Sequence, residues 1–252
     1  MGDLKVRPGM LRRLTSPNLT RTFTNKEKNP PKKNLTMDAV ELDTFSTKER
    51  TKSFRIEPKN DNAARNIAAN RRLIETKMIE ALREGVQTEG IFRKSGRDEV
   101  VNSLAAMLNK GEIKTWPSDD VIEIAAAYKA FFRLQQGEGR PLISDNDFAK
   151  LSPAYKGESL KRRVFAFKSV FKAMAPEDSL RLKEFLNLMA HTAKYSDVNK
   201  MTARNLAIVT APNLFPLGLN PQDEFNKSQA RQNLVESLIL DTIEGRLDSV
   251  FL

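Results

Sequence analysis

The sequence predicts an all-α protein: a single helical domain of about seven to nine helices over residues 61–252, preceded by a linker over 35–60 and a disordered basic tail over 1–34. Three observations carry this reading. From about Asp61 onward apolar residues recur at spacings of three and four, the period of a helix face, and two-residue alternation is scarce. With 252 residues, 40% of them hydrophobic, the chain can bury a sizeable core. The charge is uneven: of a net +10, the first 34 residues hold +7, nine Lys or Arg against Asp3 and Glu27, and everything after holds +3. That basic stretch also contains Pro8, Pro17, Pro30 and Pro31 and no apolar period, so it cannot bury enough surface to offset the entropy of ordering it.

Taken in order, a short helix is expected near Met37 to Leu42 within the linker. Ile67, Leu73, Ile74, Met78 and Leu82 make the stripe of the first core helix, which Gly85 ends. Ser95 is placed to cap a helix bearing Val100, Val101, Leu104 and Leu108 that stops near Gly111. Ser118 is placed to cap the next, with Asp119 and Asp120 in its first turn and Ile122, Ile124, Ala125, Tyr128 and Phe132 along its face. Leu160 to Met174 presents Val164, Phe167, Val170, Phe171 and Met174. Pro176 opens a helix with Leu180, Phe185, Leu188 and Met189. Thr202 caps a segment through Val209 that Pro212 is expected to close, and a last helix runs from about Ser228 to Glu244 with Leu234, Leu238 and Ile239 inward.

Composition excludes several chemistries. There is no cysteine and His191 is the single histidine, so disulfides, thiolate metal sites, a cysteine nucleophile and a Ser-His-Asp triad find no support, and no metal site is expected. No apolar run reaches the 18 residues of a membrane span. The N-terminus has no secretory pattern, and Val6 stands where a myristoylation motif wants Ser or Thr. The expectation is a cytoplasmic protein without a transmembrane segment. The positive charge invites a nucleic-acid reading, but a nearly balanced body with three Tyr and one Trp and no nucleic-acid motif argues against a specific nucleic-acid partner. The basic tail is suited to weak contact with an anionic membrane, at about 1 kcal/mol per basic residue. Trp116-Pro117 reads as a helix-entry staple.

Two segments hold more than packing. Glu89-Gly90-Ile91-Phe92-Arg93-Lys94-Ser95-Gly96 is a loop between glycines in which two large apolar residues precede a cation. Ile91 and Phe92 anchor such a loop to the core, so Arg93 is held toward a partner with little freedom left to lose. The second, Asn199-Lys200-Met201-Thr202-Ala203-Arg204-Asn205-Leu206 through Pro212-Asn213-Leu214, is a capped helix with amides near its ends. Gly90-Ile91-Phe92-Arg93-x-Ser95-Gly96 resembles the arginine-finger loop of the RhoGAP domain, the helical module that activates Rho-class small GTPases. Asn199-Lys200-Met201-Thr202-x-x-Asn205-Leu206-Ala207-x-Val209-x-x-Pro212-Asn213-Leu214 is similar to that family's second signature. Ala127-Tyr128-Lys129-Ala130-Phe131-Phe132-Arg133, then Pro141-Leu142-Ile143, resembles its lysine-bearing helix and the turn that follows.

The resemblance implies a GTPase-activating protein with no substrate turnover and no cofactor of its own, since GTP and Mg²⁺ belong to the partner. It makes Arg93 the residue that enters the GTPase active site, and Lys129 and Asn205 contacts to a Rho- or Rac-class GTPase in its GTP-bound state. Lys94 and Arg97, beside the finger, are candidate contacts to an acidic GTPase surface. Arg133, Pro212 and Asn213 match architectural positions. The chain departs from the family pattern at Leu134 to Leu142, a longer turn poorer in proline, and at Thr210-Ala211 before Pro212. Those departures keep a second reading open, a RhoGAP-like module that binds a GTPase or another signalling protein as a scaffold. A short copy of this domain is expected in the cytoplasm, or in host cytosol if it is a microbial effector.

Overall fold

The computed structural model describes residues 61–157, 159–218 and 220–252. The basic segment 1–34 and the linker 35–60, with the short helix expected there, lie outside the described residues. Those described form ten helices and no strand: α1 (Asp61–Glu84), α2 (Asp98–Lys110), α3 (Val121–Gly137), α4 (Asp145–Ala154), α5 (Leu160–Ala173), α6 (Pro176–Ala193), α7 (Ser196–Asn199), α8 (Ala203–Leu214), α9 (Pro221–Ile243) and α10 (Asp248–Phe251). The all-α expectation holds, and two of the ten are single turns.

The core is continuous, with Tyr128, Phe131 and Phe132 of α3 in its middle against Phe185 of α6. α2 lies along α3, α8 along α9, and α6 against both α8 and α9, while α5 packs on α4 and α10. The stripe of α1 is rotated from the one expected. Ile74, Met78, Ile79 and Leu82 are buried, but Ile67 and Leu73 are 44% and 60% exposed. The inward position beside Ile74 belongs to a charged residue, Glu75, which bonds Arg181 of α6 (Arg181 Nε to Oε1, 3.0 Å).

Several helix starts differ from the sequence reading. Arg97, not Ser95, is the N-cap of α2. Asp120, not Ser118, caps α3 by accepting from the Ile122 amide at 2.8 Å, while the Ser118 hydroxyl accepts from Asp120. α4 has little apolar period to mark it in the sequence, with only Leu151 on it buried; its start is a capping box in which Ser144 and Asp147 serve one another's amides. Asn220 and Pro221 open α9 well before Ser228. Pro176 and Thr202 open α6 and α8 as expected.

Pro212 does not close α8, which continues to Leu214. A proline in the last turn removes one amide bond, and the free carbonyls at that end are satisfied from α3 and the turn after it. Gln136 Nε2 donates to the Pro212 carbonyl (3.0 Å) and to that of Phe215, and the Ile143 amide donates to the Leu214 carbonyl (2.9 Å). The altered turn after α3 therefore has a fixed stem: Gln135 and Gln136 are buried, and the Gln135 carbonyl takes the Arg140 amide at 2.8 Å.

Candidate functional site

The loop between α1 and α2 is pinned from three sides. Ile91 and Phe92 are wholly buried and Arg93 beside them is exposed. The Gly90 amide donates to the Asn199 carbonyl at 2.8 Å, and the Gly90 carbonyl accepts from the amides of Arg93 (2.9 Å) and Lys94 (2.8 Å). Gly90, at φ 76°, suits this tight turn, but Phe92 at φ 66° is a non-glycine residue in the left-handed region. Such a conformation costs on the order of 1–3 kcal/mol and persists only where the surroundings fix it. Here the buried ring fixes it, together with the Lys129 ammonium, which donates to the Phe92 carbonyl. The Arg93 guanidinium, one residue on, has no hydrogen-bond or ion-pair partner among the described residues. The backbone is held and the guanidinium is exposed.

Lys129 reaches the loop from the middle of α3. Its pKa is lowered, first by burial and then by the nearby Arg133 guanidinium. Lys129 and Arg133 line a cavity of about 170 Å³ beside Lys94, Gly96 and Asp98. Arg133 Nε donates to Asn213 Oδ1 (3.3 Å), tying α3 to α8. Asn205 sits in the first turn of α8, where its Nδ2 donates to the Lys200 carbonyl at 3.0 Å. Pro212 is exposed on that helix and Asn213 buried. Lys94 is exposed, with Glu89 Oε1 at 4.0 Å from its ammonium. Arg97 is engaged, its Nε 2.6 Å from Glu123 Oε1 and its Nη2 3.2 Å from Oε2.

Two residues to which the sequence reading gave no role help build this site. Asn199 is wholly buried: its Nδ2 donates to the carbonyls of Val86 (2.7 Å) and Thr192 (2.8 Å), and its Oδ1 accepts from the Met201 amide (2.7 Å). With its own carbonyl accepting from Gly90, it joins the end of α1, the loop between α1 and α2, α6 and the start of α8. Its place at the head of the Asn199-Lys200-Met201-Thr202 motif was the available signal. Glu123 stands between Ile122 and Ile124 in the first turn of α3 and holds the other stem of the loop. It takes the Arg97 side chain and, at 3.3 Å, the Arg97 amide, and its Cα lies so near Gly96 that a Cβ there would approach to 2.8 Å.

Those donors, the Arg97 guanidinium first and then Ser118, lower the Glu123 pKa to about 2. A carboxylate depressed on folding contributes stability that is fully present above its unfolded value and is lost as pH falls through the folded one. The stability difference between the parent and Glu123→Gln should therefore be constant above about pH 5 and shrink steadily toward pH 2. Urea unfolding across that range measures it, and a gap indifferent to pH would show that the ionic form of Glu123 adds nothing.

Among the described residues no group of His, Asp and Glu side chains is arranged to hold a metal ion, and no helix is long and apolar enough to cross a membrane. The larger cavities lie apart from the loop: about 520 Å³ between α4 and α9, and about 460 Å³ where α1, α6 and α9 end.

The family model of the RhoGAP domain matches residues 73–218, a span that contains every residue of the site. The chain is 28% identical over 130 residues to the probable Rho-type GTPase-activating protein 4 of Schizosaccharomyces pombe, covering 52% of this chain and 14% of that protein. It is 31% identical over 164 residues to the Rho GTPase-activating protein gacY of Dictyostelium discoideum, covering 64% of this chain and 22% of that one. It thus spans less than a quarter of the length of these relatives. The crystal structure of human Rho GTPase activating protein 15 has the same fold, with a TM-score of 0.59 and 21% identity over 69% of this chain and 82% of that one.

Proposed function

The chain belongs to the RhoGAP domain family, and on that premise we propose that it accelerates GTP hydrolysis by a Rho-family small GTPase, with Arg93 inserted in trans as an arginine finger. The supporting observation is the contrast at Arg93: a backbone fixed by buried neighbours, by the Asn199 carbonyl and by Lys129, bearing a guanidinium with no partner among the described residues. A GTPase holding nucleotide, Mg²⁺ and the attacking water hydrolyses slowly because the charge developing on the transferred phosphoryl is under-compensated. A planar guanidinium offers several donors in a fixed fork to those oxygens, and a loop already ordered loses little entropy on insertion.

The other residues act through position. Lys129 secures the finger loop and lies at the edge of the surface the GTPase meets. Asn205 contacts the GTPase from the start of α8. Lys94 offers an exposed charge to an acidic partner surface, and Arg97, shared with Glu123, both steadies the loop and shows its outer face. Arg133, Asn213 and Pro212 support the groove from behind. The partner is the GTP-bound form, and the protein works in the cytoplasm.

A panel of GTP-loaded Rho-class GTPases, assayed for single-turnover hydrolysis with and without the chain, tests this. Acceleration of at least one member is expected, together with stronger capture of a GTPase loaded with a transition-state mimic than of the GTP-loaded form. Equal capture of both and no acceleration would favour the scaffold reading.

A further inference from the structure

Helix α5 contains five Lys or Arg and no acidic residue. Its +5 exceeds the +3 of all residues from 35 onward, so the rest of that body is net −2. The basic residues are not spread around the helix. At 3.6 residues per turn, Lys161, Arg162, Phe165, Lys168 and Lys172 fall within an arc of about 120°, and all five are exposed. Phe165 lies inside that arc, 75% exposed. The opposite side packs Phe167 and Val170 into the core, and Arg163 turns inward to Asp241 of α9 (3.1 Å). Lys161, Lys168 and Lys172 have no ion-pair partner among the described residues.

One exposed aromatic residue is ordinary, and so is one basic helix face. Their superposition is less so. Acids three or four residues from lysines on a helix would pair with them and offset their charge, whereas α5 contains none, and it puts a large apolar ring within the positive field. Clustered Lys and Arg on an exposed helix face are attracted to an anionic leaflet, and an exposed apolar ring among them gains by leaving water at the lipid boundary. The arc has one exposed ring and no row of rings for stacking bases. We propose that α5 docks on an anionic lipid surface, with Phe165 entering the boundary between headgroups and acyl chains and Lys161, Lys168 and Lys172 set among the lipid phosphates. The main packing partners of α5 are α4 and α10, not the helices that shape the finger loop, so docking leaves Arg93 open to a partner. Docking by α5 is independent of GTPase activation.

The full chain and phosphatidylcholine vesicles, with and without phosphatidylserine, provide the test. The basic tail supplies its own attraction, so α5 is read locally: Phe165→Trp in a Trp116→Phe background should blue-shift on anionic vesicles and be quenched by lipids brominated along the acyl chain. Lys161→Gln, Lys168→Gln and Lys172→Gln together should weaken binding about a hundredfold, since each removes roughly fivefold, about 1 kcal/mol. Phe165→Ala should weaken it about tenfold. These surface changes should leave the helical signal and melting temperature as in the parent. Unaltered indole emission on vesicles would overturn the proposal, as would parental affinity in the triple variant. Binding to single-stranded RNA that requires these same side chains, with none to vesicles, would overturn it too.

Discussion

Arg93→Ala should abolish most of the acceleration while leaving complex formation with the GTP-loaded partner nearly intact. Fingers of this kind contribute about 10³–10⁵ in rate, on the order of 4–7 kcal/mol of barrier. The effect should fall on the single-turnover rate at saturating protein and hardly at all on the concentration giving half-saturation, because a contact completed in the transition state adds little to ground-state affinity. The fold provides its own control. None of the bonds that fix the loop uses the Arg93 side chain: Gly90 is held through its amide by Asn199, Phe92 through its carbonyl by Lys129, and Ile91 and Phe92 by burial. The Ala variant should melt with the parent, so a lost rate cannot be ascribed to lost structure. Arg93→Lys should recover only a small part of the rate, since an ammonium keeps the charge but not the fork. Acceleration by the Ala variant equal to the parent's would end the assignment.

The sequence was informative where one physical period or one rigid local rule decides the outcome. Helical spacing placed Met78, Leu82, Phe167, Phe185 and Leu238 in the core, and all are buried. Proline at a first turn and threonine before a helix marked the starts of α6 and α8. The ordering of the finger loop was legible from Ile91 and Phe92, two apolar residues between glycines. What spacing does not encode is which polar residue goes inside. Glu75 on α1 and Arg181 on α6 stand more than a hundred positions apart in the chain, and each alone reads as a solvated helix charge. The same holds for Glu123, whose role depends on Arg97 arriving from another helix, and for Asn199, whose three polar partners come from separate segments. Ser95 and Ser118 show the converse: a good capping residue was present, but the helices start two residues on, α2 after Arg97, which is engaged by Glu123, and α3 after Asp120, which caps it locally. Pro212 read as a stop because the glutamine that serves the carbonyls around it lies on α3.

The internal pair gives the largest expected effect on stability. Glu75 and Arg181 are both buried, with Arg181 Nε 3.0 Å from Glu75 Oε1 and Nη2 2.8 Å from Glu177 Oε1, and the guanidinium lies over the Phe131 ring at 5.3 Å. Burial raises the Glu75 pKa and Arg181 opposes that rise. Arg181→Met leaves a carboxylate in the core without its main counter-charge, which should cost about 3–5 kcal/mol near neutral pH. Because Glu75 already binds a proton more readily folded than unfolded, its favourable contribution is present at low pH and lost as pH rises through the folded value. Removing Arg181 pushes that value higher still, so the deficit of the variant should narrow as pH falls from neutral toward the ordinary carboxylate range. Urea unfolding at neutral and at mildly acidic pH measures this, and a deficit equal at the two would mean that lost packing on Phe131 is the cause, not a stranded charge. Glu75→Leu added to Arg181→Met should restore most of the loss, since well-packed apolar residues commonly replace a buried ion pair without net cost.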